Sequence, residues 1–443
     1  MDLIKLRSEL DRRRVAVWRA QESTWQPIPV ALTPTVVSES EWQSVVADAR
    51  LVFGSFPKIM NWLLKSEQDP LLIRLLSGLT GLERLMATQD PSKFWGHVTA
   101  RFDLYWHDGE IKIIEVNCTI PAMQAYSDNV LQSWLYAHGL KPASSSNVSD
   151  LLKSLLGMYR EDGGSNPRPK ILILHREGDS QLGELLWLQR EWTKLGFETA
   201  LAIPESIHHE RNGWRQGAML YDVVYRHIFA WRLPDDEIAK ALQDNRAQHI
   251  YNPVSAHYEA KSFLAIVSDV ADNAHRSAQV GLSEQEVSAI KRRVPWTRIL
   301  GSENSSASRT KLESQLDDLV LKRSVGYGGH QVLMGRDWEQ EAVQSKLRQL
   351  IGHKQHISFE HFYQWAIEID SSLWIAQDRM TGAKRTTHVL CGEKVEEWDA
   401  WFDVSVFINS RALPVCNGGV SRIAKTPIVN IGAGGGLAPF VLK

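Results

Sequence analysis

Arg101-Phe102-Asp103-Leu104-Tyr105-Trp106, then His107-Asp108-Gly109-Glu110, then Ile111-Lys112-Ile113-Ile114-Glu115-Val116-Asn117 read as strand, turn and strand. Residues two apart on a strand point the same way, so Glu115 and Asn117 set a carboxylate and an amide oxygen side by side on one face. Asp103 joins them in one register and leaves them in another. A two-residue turn at Asp108-Gly109 would put Asp103 opposite Ile114, facing away. A three-residue loop His107-Asp108-Gly109 would put it on the Glu115 face, and that loop is the expectation. Two carboxylates and an amide suit a hard cation such as magnesium, which keeps its other positions for water and nucleotide phosphates. The solvated face of an edge hairpin would carry the same pattern.

Upstream, residues 2–86 read as helical, with Lys58 to Leu64 and Leu71 to Leu76 as buried faces. Downstream, Ser-, Gly-, Pro- and Asn-rich stretches at Lys141–Asn147 and Glu161–Pro169 flank a short helix, Asp150–Met158, and place a boundary near Asn166. Ile171–Leu174, a helix from Gln181 to Leu195 and a strand near Thr199–Ile203 make a parallel strand-helix-strand unit. Asp222–Arg226 adds a strand and Asp235–Gln243 a helix. A helix opens at Asn252-Pro253 and runs past Lys261, and Ser283-Glu284-Gln285-Glu286 has the capping-box pattern of another.

Beyond Leu319 the chain reads as strands and glycine turns, with strands at Leu319–Lys322, Gln331–Met334, Ile357–Phe362 and Asp403–Ile408 and a hairpin about Asn417-Gly418-Gly419. Lys322 ends an apolar strand, and Ser324-Val325-Gly326-Tyr327-Gly328-Gly329-His330 follows. Glycine lets backbone N–H groups approach anionic oxygens while the lysine supplies a point charge to phosphates. It is not a Walker loop, since no Gly-Lys-Ser/Thr ending or helix follows. A glycine hairpin without a ligand would look similar. Arg422 lies in the strand after the Asn417 turn, where a guanidinium could brace phosphate oxygens; a surface arginine is the plainer alternative. The apolar Leu437–Leu442 implies that the tail packs into the core, with the glycines before it serving close backbone approach. The loop Arg176-Glu177-Gly178-Asp179-Ser180 and Arg226 occupy carboxyl ends of parallel strands, where open α/β sheets bind ligands, and are candidate substrate contacts.

Composition narrows the class of protein. The 443 residues are 43% hydrophobic and 23% charged, with 50 basic and 52 acidic side chains for a net charge of -2. That supports two or three packed units and offers no basic field for nucleic acid. Cys118, Cys391 and Cys416 have neither zinc-site nor disulfide spacing, which fits a reducing cytoplasm. No signal-peptide pattern or spanning-length apolar run is seen, so no membrane association is expected.

Together these residues resemble the ATP-grasp superfamily, and their order resembles its circularly permuted branch, which includes glutathionylspermidine synthase-like bacterial proteins and, more distantly, eukaryotic glutathione synthetase. The carboxylates of Asp103 and Ile114-Glu115-Val116-Asn117-Cys118-Thr119-Ile120-Pro121 come early here, while the Gly418–Ala424 and Val429–Gly436 segments end the chain. The resemblance implies an α/β, or α+β, ATP-grasp fold with a Rossmann-like parallel-sheet substrate domain. Its divisions would be a helical N-terminal region (1–97), a permuted part with the metal hairpin (98–165), the substrate domain (166–250), a helical connection (251–315) and the nucleotide-binding region (316–443). It implies ATP and Mg2+ as cofactors. Lys261 and Lys322 would contact phosphates under a lid of Gly326, Gly328 and Gly329, and Arg422 with Lys322 would serve the transferring phosphate. Phe359, Glu360, His361 and Phe362 would form the adenine hinge, Asn430 would join the nucleotide site, and Asp103, Glu115 and Asn117 would ligate magnesium. Arg323 stands where many relatives have proline. The implied reaction is amide or peptide bond formation between a small-molecule or peptide carboxylate and an amine through an acyl phosphate. Ester formation, substrate phosphorylation and a non-catalytic nucleotide-binding protein are the alternatives, and a homo-oligomer is left open.

Overall fold

The computed structural model describes residues 1–443 except 66–69, 89–96, 211–212, 234–240, 243–248, 302–305, 327–330, 371–372 and 411–417. The predicted helix Asp235–Gln243, the hairpin tip at Asn417, the lid residues Gly328 and Gly329 and Cys416 therefore lie wholly or mainly outside the described residues.

The N-terminal region is not wholly helical. After α1 (Leu3–Arg12) come strands β1 (Ala16–Arg19), β2 (Thr24–Pro27), β3 (Val30–Ala31) and β4 (Thr35–Val37). Valine, threonine and tryptophan suit a pleated surface there, and distant partners decide the state: β3 enters the large sheet, and β4 pairs in parallel with the strand Phe440–Leu442. Helices α2 (Glu39–Leu64), α3 (Pro70–Ser77) and α4 (Gly81–Ala87) follow, and α2 buries Trp42, Val45, Val52, Phe56 and Ile59 in the main core.

The predicted hairpin is β5 (Thr99–His107) and β6 (Glu110–Asn117). Its turn has two residues, not three: His107 pairs with Glu110, and Asp108 and Gly109 have φ of 50° and 83°. Positive φ at both positions makes the tight turn whose twist matches the strands, which is why Asp-Gly sequences favour it. Asp103 nevertheless pairs with Glu115, because a bulge takes up Ile114 between the pairs Asp103–Glu115 and Leu104–Ile113. The bulge, not the loop, returns Asp103 to the face of the carboxylate and amide.

Helices α5 (Gln124–Ala137) and α6 (Asn147–Glu161) lead to a four-stranded all-parallel sheet in the order Ile250–Tyr251, Val223–His227, Ile171–His175, Thr199–Ala202, with α7 (Leu182–Lys194) packed on it. A second, antiparallel sheet has the order Thr297–Ile299, Trp374–Asp378, Leu319–Arg323, Val332–Met334. The seven-stranded sheet has the order Ala383–Cys391, β3, Gly436–Ala438, Gly419–Ala424, Lys394–Asn409, β5, β6. Hence the beginning and the end of the chain share one sheet. Close approach explains the terminal glycines: a Cβ on Gly436 would lie 2.3 Å from the carbonyl oxygen of Pro29. The predicted strand Ile357–Phe362 is instead a turn into the helix Phe359–Glu368, capped by the Ser358 side chain on His361 N–H.

Asn252 ties the hairpin to the parallel sheet. Its Oδ1 accepts from Val98 N–H at 2.8 Å, and its Nδ2 donates to Thr99 O at 2.8 Å and Cys118 O at 2.7 Å, with the side chain fully buried. Truncation would strand several buried backbone groups. Asn252→Ala is expected to lower unfolding stability by about 3 kcal/mol, read from denaturant midpoints at unchanged slope.

Candidate functional site

The expected site residues converge on one cavity of about 380 Å3 between the seven-stranded sheet and the antiparallel sheet. Asp103, Glu115, Asn117, Lys261, Lys322, Gly326, Arg422 and Asn430 all line it. Strand alternation supplies one wall. Tyr105, Asp103 and Arg101 share a face of β5 with Glu115 and Asn117 on β6, and the paired strands add Asp403 and Arg422. The opposing wall comes from Val320 and Lys322, Val332 and Met334, and Gln377.

A buried charge network occupies the floor. Arg101 donates to both oxygens of Asp103 at 2.7 and 3.1 Å, and Arg422 Nη2 reaches Asp103 Oδ2 at 3.1 Å and Asp403 Oδ2 at 2.5 Å. Burial opposes the charge on Asp103, but Arg101 and then Arg422 outweigh it and hold the carboxyl well below its usual range. Burial likewise opposes the charge on Arg422, and Asp103 and Asp403 overcome it, so this guanidinium stays ionised.

Lys261 starts the helix Lys261–Asp272, and its Nζ donates to Glu115 Oε1 at 3.1 Å and to Gly326 O at 2.9 Å. The glycine strand end, the helix start and the metal-type carboxylate are thereby joined. Lys322 Nζ donates to Gln377 Oε1 at 2.6 Å, and Gln377 Nε2 in turn donates to Thr297 Oγ1. Burial pushes the Lys322 ammonium down to about 8, with Glu115 partly offsetting it. Among the described lining residues, seven are basic (Arg101, Lys261, Lys322, Arg323, Arg336, Arg379, Arg422) and five acidic (Asp103, Glu115, Glu259, Asp378, Asp403). A cavity with a basic excess in a chain of net charge -2 favours an anionic ligand.

Other expected contacts are elsewhere. Phe359, Glu360, His361 and Phe362 are on a helix, not a hinge: Phe362 is fully buried in a separate core, and Glu360 pairs with Arg309. An apolar stretch with aromatic residues suits either element, and the Ser358 cap decides for helix. The connection that does face the cavity is Gln377-Asp378-Arg379-Met380, the end of one sheet's strand leading into the other sheet. Arg226 is no substrate contact, because it is fully buried and donates to the carbonyl oxygens of Asn252, Ile228 and Pro253. Arg176, Glu177, Asp179 and Ser180 are not on the cavity wall; Asp179 is buried, caps Gln181 N–H and faces His227, while Gln181 itself lines the cavity. Arg101, Tyr105, Gln377 and Asp403 were not anticipated. Arg101 and Tyr105 share the strand parity of Asp103, which is the signal that could have found them.

Glu115 and Asn117 fit magnesium as hard oxygen donors on one face, with Asp103 beside them, its Oδ2 already accepting from Arg101 and Arg422 and its Oδ1 from Arg101. Among the described residues no group of three or more His, Cys, Asp or Glu is placed to hold a metal by itself. The set needs further oxygens, such as those of phosphates, to complete a shell. Cys118, next to Asn117, is buried and its thiol pushed well up by burial, which disfavours a nucleophile. Among the described residues no helix is long and apolar enough to cross a membrane.

No family model matches the chain, and no curated protein matches its sequence. Among solved structures, a glutathione synthetase-like effector from Globodera pallida superposes with a TM-score of 0.61, covering 100% of this chain and 98% of that one at 12% identity. A protein named as a gamma-glutamylcysteine synthetase from Methylobacillus flagellatus is matched over 85% of this chain and 88% of that one, with a TM-score of 0.43 and 12% identity. The first likeness establishes the fold as that of glutathione synthetase-like proteins.

The lysine makes a signed prediction. Lys322 has a folded pKa of about 8 against 10.5 for the free side chain, so the cost of burying its charge is fully present below pH 8 and fades as pH rises towards 10.5. Lys322→Met should therefore be more stable than the parent at pH 7, by up to about 3 kcal/mol, and the difference should shrink at pH 10. Denaturant titrations at the two pH values read it.

Proposed function

We propose that the chain is an ATP-dependent, magnesium-requiring ligase of the circularly permuted ATP-grasp kind, joining a carboxylate to an amine through an acyl phosphate. The observation that carries this reading is the meeting of Lys261, Lys322 and Arg422 with Asp103, Glu115 and Asn117 in one cavity. The fold of the glutathione synthetase-like effector supports it, and so does the pairing of strands from both chain ends in a single sheet, as a permutation requires. In this reading the parallel sheet belongs to a Rossmann-like substrate domain, and the terminal motifs are those of glutathionylspermidine synthase-like proteins.

The residues divide the work. Gln377–Met380 with Val320, Met334 and Ile428 form the part of the cavity suited to a flat base. Lys322 and Lys261 attract the phosphates, with Gly326 held beside Lys261. Glu115 and Asn117, with Asp103, would hold magnesium, which when bound neutralises phosphate charge. Arg422, held ionised by two carboxylates, faces the charge that builds as the terminal phosphoryl group moves to the substrate carboxylate. The amine then attacks the acyl carbon, phosphate leaves, and no protein nucleophile is needed.

Magnesium-dependent ADP release, measured with pools of carboxylates and amines, tests this. Glu115→Gln is expected to lower turnover by roughly a hundredfold or more while leaving the fold intact. Absence of nucleotide binding by the purified protein overturns the proposal, and binding without turnover in every pool favours a non-catalytic nucleotide-binding role.

A further inference from the structure

A second cavity, of about 290 Å3, opens beside the first. The two share Glu259 and Gly326 as lining residues. Their rims are continuous, since Phe229 lines the main cavity and Trp231 the second, with ring centroids 6.2 Å apart and planes within 17° of parallel. Gly326 O also accepts from Lys261 Nζ, so the second cavity adjoins the place where the proposed phosphates lie. Ala256, Ala260 and Val325 make much of its wall small and apolar, and two carboxylates, Glu83 on α4 and Glu259, stand in that wall.

Both carboxylates are buried, with exposures of 5% and 8%. Glu83 closes the start of α4: its Oε2 accepts from Thr80 N–H at 3.1 Å and from Thr80 Oγ1 at 2.9 Å. Among the described residues nothing donates to its Oε1, and no cation stands within ion-pair distance. Glu259 Oε1 accepts from Cys118 N–H at 2.7 Å and Thr119 N–H at 2.5 Å. A carboxylate taken out of water demands positive charge nearby. Arg226 is the cation behind this wall: burial pulls its guanidinium down to about 10, and Glu259, Tyr225 and Glu83 oppose that. Its hydrogen bonds go to carbonyl oxygens, not to either carboxylate. Among the described residues that line or back the cavity, one guanidinium therefore faces two carboxylates, an excess of one negative charge. The solvent-exposed Arg232 stacks on one face of Trp231, 4.4 Å from the ring centre, and is not among the lining residues. An organic monocation suits the charge, the apolar wall and the indole at the rim together. A divalent ion would need more oxygen donors than two carboxylates supply.

We propose that the second cavity is a binding site for an alkylammonium group and receives the amine substrate, held by Glu83, with Glu259 at the passage to the main cavity. The assignment to the amine substrate rests on the ligase reading, whereas the binding of a cation does not. The probes are n-butylamine, protonated at neutral pH, and the uncharged 1-butanol of equal chain length, titrated into the full chain and followed by ligand-detected magnetic resonance. n-Butylamine should bind more tightly than 1-butanol by about tenfold or more, and Glu83→Gln, which keeps the capping box of α4, should remove most of that difference. Trp231→Ala, at an exposed position, should weaken n-butylamine by about threefold or more. Equal binding of the two probes, no binding of n-butylamine, or an unchanged affinity in a folded Glu83→Gln protein overturns the inference; if that variant does not fold, an unchanged affinity in Trp231→Ala does so. Parallel titrations with magnesium and a non-hydrolysable ATP analogue separate the two readings. Cation binding through Glu83 in a protein that does not bind the analogue overturns the ligase reading and leaves the cation site standing, and analogue binding without the cation site overturns this inference alone.

Discussion

The carboxylate of Asp103 is held between two guanidinium groups in the interior of a sheet, and much of the architecture follows from keeping it there. A buried acid of this kind is tolerable only with paired, hydrogen-bonded cations. Arg101 comes from the same strand, but Arg422 comes from the other end of the chain, more than three hundred positions away. The two meet because Lys394–Asn409 pairs with β5 on one edge and with Gly419–Ala424 on the other. Loss of that pairing would leave an uncompensated charge, so the sheet and its floor stand or fall together.

Charge is divided between two sheets that face each other. The seven-stranded sheet supplies the carboxylates together with the two arginines that neutralise Asp103. The smaller sheet and the start of the helix Lys261–Asp272 supply lysines, one of them buried at the cost of a depressed pKa. The Lys261 bridge to Glu115 and Gly326 couples the two sides before any ligand arrives. In the proposed ligase, a phosphate would replace Glu115 as the partner of Lys261 and free that carboxylate for a cation, and it would give Lys322 a counter-charge.

The parallel sheet follows a different logic. Its polar residues at the strand ends look like ligand contacts in sequence, yet Arg226 and Asp179 are satisfied within the protein, and Glu184 closes the start of α5 from beneath. None of these three residues lines the cavity; they hold the backbone around it. Strand-end position alone therefore does not separate a ligand contact from a polar group satisfied within the protein.

The sequence by itself determined the hairpin, the parallel strand-helix-strand unit, the lysine strand before the glycines and the Arg422 strand, because each is a local pattern of alternation, capping or turn chemistry. The order of Asp103, Glu115, Asn117, Lys322 and Arg422, with the resemblance it carries, also pointed to residues that meet in the cavity. Tertiary structure alone decided the rest. The bulge at Ile114 that sets the Asp103 register depends on pairing across the sheet, and the strands at Val30–Ala31 and Thr35–Val37 exist because partners from the far end of the chain are there to bond them. Phe359–Phe362 reads as strand until the Ser358 cap and the packing of Phe362 make it helix, and the connection at Gln377–Met380 carries no pattern of its own. Propensity acts over a few residues, whereas pairing register, burial and the neutralisation of a charge are settled by groups that only folding brings together.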